Sequence, residues 1–232
     1  MTEEEWLACS DPLLMLEHLC GRRGYDRKLR LFACACCRRI WDLLKDQRSL
    51  EAVEVTEQFV DGHAKRHELA RAADAAHAVI VAGVRALATS VAPDSGLDFQ
   101  TDAADAAWRT AAFDSIHRNV SQIAMRTSFD EGLYSVGADN KIAQVRLLRD
   151  IFGRPYPFPQ LIVEKVWLNW KDSAAVKMAR SIYDGRRFEL LPVLCDILED
   201  AGCGEGQIIR HCREETEHVR GCWVVDMLLE NK

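Results

Sequence analysis

Apolar residues recur along this chain at three- and four-residue intervals nearly from end to end, the spacing that gathers them on one face of a helix. Thr2-x-x-Glu5 is a capping box ahead of Trp6-Leu7, and Ser10-Asp11-Pro12 couples cap residues to a first-turn proline. Two short helices are predicted there, the second with Leu13, Leu16, Leu19 and Cys20 on one face and a stop at Gly21. From Arg27 to Leu44 the helical spacing continues through Leu29, Ala33, Cys37 and Ile40, but Leu31, Phe32, Ala35 and Cys36 make the segment apolar nearly all round. Such a helix belongs in the middle of a bundle, with Leu29, Ala33, Cys37 and Ile40 nearly inaccessible. Ser49 is the expected cap of a further helix lined by Val53, Thr56 and Val60 and ended by Gly62.

Two long alanine-rich segments follow, 63–92 and 100–127, and small side chains on facing stripes let two backbones approach closely. They are predicted to form an antiparallel pair joined by Pro93-Asp94-Ser95-Gly96. A loop over Glu131 to Gly137 and a helix from Asp139 through Ile151 complete an alanine-rich bundle over 1–151. Three prolines between Pro155 and Pro159 mark a linker over 152–160. Beyond it, 161–232 reads as a compact helical module with helices near 173–184, 188–201, 205–214 and 220–230. No strand pattern survives, so the fold class expected is all-α.

Composition narrows the classes. The chain has 232 residues, 48% hydrophobic, with a net charge of −6, which argues against a surface given over to nucleic acid. Its apolar runs fall short of the roughly 20 residues of a membrane span, and the opening Met-Thr-Glu-Glu-Glu lacks a secretory basic region. An odd cysteine count, nine, with two adjacent, argues against a disulfide framework and for a reducing, cytoplasmic setting. Charge is segregated: residues 21–49 carry nine basic against three acidic groups, and residues 196–232 four against nine. Opposed patches of this kind suit attraction between the two ends or to a protein partner.

The stretches Arg27 to Trp41, Leu147 to Gly153 and His218 to Asp226 resemble a large paralogous family of uncharacterised planctomycete bacterial proteins. The resemblance covers both ends and the hinge and leaves the alanine-rich middle unmatched. It implies no chemistry, ligand or partner.

Two groups of residue types could hold metal. Cys203, His211, Cys212, His218 and Cys222 place five thiol or imidazole donors within twenty residues, beside glycines that permit tight turns. Their spacing fits no strong zinc signature, and the plain alternative makes the cysteines small buried hydrophobes and the histidines exposed or capping. Asp74-x-x-His77 and Asp114-x-x-His117 lie one on each long helix. Completed by Glu54, Glu57 or Asp139, they would resemble a dimetal site in a helical bundle. Cys34, Cys36 and Cys37 read as core. Arg71 with His77, and Arg213 with His218, match the Arg-x4-6-His pattern of helical nucleases at the frequency composition predicts.

With no convergent catalytic set, the leading expectation is a non-enzymatic helical interaction or regulatory module without a cofactor. The alternatives are a metal-binding helical protein, with structural zinc near the C-terminus or a dimetal site in the bundle, and a helical RNA-binding or nuclease protein.

Overall fold

The structure is a computed structural model that describes residues 1–22, 24–89, 95–112, 116–127, 138–155, 157–158 and 161–231, with side chains at 86–89, 95–99 and 138 set aside. It is all-α, with 75% of the described residues helical and no strand among them. The helices are α1 (Glu3–Ala8), α2 (Pro12–Leu19), α3 (Asp26–Arg39), α4 (Gln47–Val60), α5 (Arg66–Thr89), α6 (Ser95–Ala111), α7 (Ile116–Arg126), α8 (Ala138–Phe152), α9 (Lys165–Gly185), α10 (Leu191–Asp200), α11 (Gly206–Arg213) and α12 (Trp223–Leu228). Two compact units result, 3–145 and 146–232. The division falls inside α8, so the proline-rich stretch lies within the second unit.

The first unit is organised around α3, which packs on α4, α6 and α7. Leu29, Phe32, Ala33 and Cys37 are wholly inaccessible, and Cys34 and Cys36 nearly so. Ile40 is only half-buried, because α3 ends at Arg39 and Ile40 is its C-terminal cap. Arg30, buried in the same helix, donates from its guanidinium to the carbonyls of Thr110 at 2.8 Å and Ala112 at 3.4 Å. These carbonyls lie in the last turn of α6 and one residue past its end, where no further helical turn supplies a partner. The cap of α4 is Asp46, whose Oδ1 accepts the Arg48 N–H at 3.0 Å. Ser49 instead lies buried inside the first turn.

The long pair differs from its sequence pattern in two respects: the second member is two helices, α6 and α7, and Ser95 and Gly96 of the expected joining loop open α6, while Pro93 and Asp94 lie outside the described residues. The first, α5, packs on α6, with His77 against Trp108 and Gly83 against Thr101. As one residue number rises the other falls, so the two run antiparallel. A Cβ at Gly83 would stand 2.8 Å from Thr101 Oγ1, the close approach that small residues permit. The expected loop over 131–137 lies outside the described residues.

The second unit has its own core, in which Leu194, Leu198, Ile208, Val224, Val225 and Leu228 join Trp167 and Ile182. Helix α9 is interrupted where Lys171, Asp172 and Ser173 take left-handed conformations, φ 41°, 59° and 59°. Helical turns lie on both sides of the break, the first of them from Lys165, ahead of the start expected at 173.

Candidate metal centre

Four side chains of the second unit converge on one point. Asp150 occupies the last turn of α8, His211 lies on α11, His218 sits in the non-helical connector after α11, and Cys222 immediately precedes α12. One donor atom from each lies within 4.8 Å of all the others. The local fold explains the placement. Ile208 and Cys212 bury one face of α11 and leave His211 beside the core. Gly221, at φ 98°, supports the turn closed by the Cys222 N–H to Val219 carbonyl bond at 2.9 Å, and that turn delivers the sulfur.

Asp150 Oδ1 is the hub, 2.6 Å from His218 Nδ1 and 3.2 Å from His211 Nε2. His211 Nε2 also stands 3.2 Å from Cys222 Sγ. The second carboxylate oxygen accepts the Val219 N–H at 2.9 Å, which orients the group and leaves Oδ1 facing the centre. On the far side of the ring, His218 Nε2 lies 3.4 Å from the Glu214 carbonyl, so the imidazolium donates from both nitrogens, Nδ1–H to Asp150 and Nε2–H to Glu214, and Nδ1 is the nitrogen that would give up its proton to an ion. His211 and His218 meet edge to face at 4.8 Å, and Trp223 covers His211 at 5.1 Å. Behind the indole is bare backbone: Gly153, at φ 53°, where a Cβ would lie 2.7 Å from Trp223 Cγ.

Electrostatics follow the geometry. Burial pushes the Asp150 carboxyl up, but the hydrogen bonds and charge of His211 and His218 outweigh it and hold the group below its ordinary value. Burial pulls His218 down, and its bond to Asp150 reverses this and raises it. Cys222 is pushed well up by burial and by the Asp150 charge, against the amides of Val225 and Val224, which favour the thiolate. A buried carboxylate, two imidazoles and a thiol facing inward can hold a metal ion.

A Cys-His-Asp relay is a different arrangement. There the carboxylate and the nucleophile address opposite nitrogens of one imidazole. Here both Asp150 and Cys222 address the same nitrogen of His211, and Cys222 is 0% exposed. A shared focus inside the ring of donors is a geometry that could hold a metal ion.

Of the five C-terminal candidates, the structure brings together His211, His218 and Cys222. Cys203 and Cys212 are buried in the apolar core, where burial raises both thiols. Asp150, some sixty residues upstream, has no spacing relation to the others that would identify it. Of the bundle candidates, Asp74 and His77 are exposed, and Asp114 lies outside the described residues. His117 is engaged elsewhere, with Nε2 2.7 Å from Asp26 Oδ1 and Nδ1 accepting the Gly21 N–H at 3.2 Å. Glu57 is bound by Arg38. Among the described residues these groups form no metal-type cluster. Arg213 pairs with Asp196 and Glu199 at the surface, whereas His218 faces the buried carboxylate, so the two do not share a phosphate-facing site. All nine cysteines are free thiols. Among the described residues no helix is long and apolar enough to cross a membrane.

Comparison with protein-family models, with curated proteins and with solved structures finds no match to this chain. Function therefore has to be read from the site.

Proposed function

We propose that this chain is a non-enzymatic helical protein whose C-terminal unit carries one structural zinc ion, held by Asp150, His211, His218 and Cys222. The observation that carries the reading is the convergence of four donors from four residues around a fully buried sulfur. Two imidazoles, one thiolate and one carboxylate match the borderline preference of zinc, and a hard oxygen in the fourth place favours it over copper. Four such ligands around one ion lie roughly 3.3 to 3.8 Å apart, so on binding the close pairs at 2.6 and 3.2 Å would move apart and the widest, at up to 4.8 Å, would draw together. The Asp150, His211 and His218 side chains are 3 to 12% exposed and Cys222 is fully buried, and four protein donors complete a tetrahedral zinc with no position kept for a substrate. A closed site stabilises a fold, and the activity left to such a protein is binding, with a protein partner drawn to its opposed charges.

Elemental analysis of the untagged protein purified without chelator tests the metal. One zinc per chain is expected, lost in both Cys222→Ser and Asp150→Asn. Cobalt(II) should substitute and give the visible and thiolate charge-transfer bands of a tetrahedral site. Absence of stoichiometric zinc together with no cobalt spectrum overturns the reading.

A further inference from the structure

We infer that the ion works as a local latch on the connector from Glu214 to Cys222 and not as the nucleus of the C-terminal unit. This inference rests on the zinc reading above. Two ligands, Asp150 and His211, stand on helices, while the other two, His218 and Cys222, are the connector's own. The connector has no helix, it turns at Gly221, and Glu214, Glu215 and Glu217 on it are exposed. Its further ties include the Val219 N–H to Asp150 and the Arg220 guanidinium 5.0 Å over the Tyr183 ring.

The helices on either side are anchored differently. Ile208 on α11, and Val224, Val225 and Leu228 on α12, are at most 2% exposed and belong to the same cluster as Leu194 and Leu198 of α10. Their burial needs no ligand atom, because apolar area leaves water whether or not an ion is present. Removing the ion therefore releases the stretch that depends on it, an acidic loop of sequence Glu214-Glu215-Thr216-Glu217, and leaves the helices packed. Regulation by zinc supply would act on the exposure of that loop.

The test is limited proteolysis of the full chain, zinc-loaded against chelated and dialysed. A glutamate-specific protease reads Glu214, Glu215 and Glu217, trypsin reads Arg213 and Arg220, and far-ultraviolet circular dichroism is followed in parallel. Zinc is expected to slow cleavage between 213 and 220 at least tenfold while the helical signal changes by less than about a tenth, as for a local opening. His218→Gln, milder than Cys222→Ser, should be cut at the chelated rate with or without zinc. Stoichiometric zinc with unchanged cleavage overturns the latch and leaves the metal site standing. Collapse of the helical signal on chelation also overturns it, by making the ion the nucleus of the unit. Failure to bind zinc at all removes the underlying reading instead.

Discussion

Asp150 and His218 are joined at 2.6 Å across sixty-eight positions of sequence, in a place where the carboxylate is only 3% exposed. A charge so enclosed stays ionised because the partners around it are fixed. Truncating one partner of such a buried group leaves the others uncompensated. Asp150→Ala is expected to cost about 3 to 5 kcal/mol in urea melts of the protein as purified. A loss under about 1 kcal/mol would place the carboxylate in water.

Arg30 is the corresponding device in the first unit. Its guanidinium satisfies two carbonyls at the end of α6 from inside the core. Arg30→Ala is expected to cost about 2 to 4 kcal/mol, since it strands buried acceptors as well as removing charge-assisted bonds. Arg30→Lys should recover less than half, because one ammonium lacks the planar fork. Full recovery by lysine in thermal melts would contradict this account.

Asp46 gives a pH signature. Its carboxylate is held below the ordinary value chiefly by the Arg48 side-chain bond, helped by the Arg48 N–H that it caps. A depressed carboxylate stabilises the fold above its unfolded pKa, about 3.9, and the benefit is lost as pH falls through the lower folded value. Asp46→Ala should therefore cost about 0.5 to 2 kcal/mol at pH 7, with the gap to wild type unchanged down to pH 5 and closing below pH 4. A gap that widened in acid would rule out the cap.

The burial pattern of α3 yields a paired comparison. Phe32→Ala removes a wholly inaccessible side chain and should cost about 3 to 5 kcal/mol, with the cavity adding to the transfer term. Ile40→Ala, at a half-buried cap, should cost less than about 1.5 kcal/mol. Equal costs in denaturant melts would mean that α3 continues past Arg39.

How far the sequence revealed all this depends on the range of the interaction. Helices are written locally, in the periodicity of α3 and in the glycines after α2 and α4, so they were legible, as was the antiparallel alanine pair. The break between α6 and α7 was not, because the apolar spacing of Trp108, Ile116 and Val120 runs on across it. At the metal centre, His211, His218 and Cys222 stood out because they are near neighbours in sequence. Asp150 did not, since a carboxylate at the end of an amphipathic helix looks solvated until the fold encloses it. Cys203 and Cys212 are as near in sequence but face apolar neighbours, and residue type alone does not report which way a thiol points.

The glycine at 153 gives the centre its mechanical reference. Trp223 rests on this bare stretch of backbone, and His211 rests on Trp223. The glycine meets the indole closely, and the indole meets the His211 ring at a tilt of 51°. A methyl group at 153 has only a rigid indole to push, and the indole in turn has a ligand behind it. A chain that kept all four donors but lost this glycine would retain the ingredients of the site and lose their alignment. The tolerance of the centre is thus set by a residue that contributes no side chain at all.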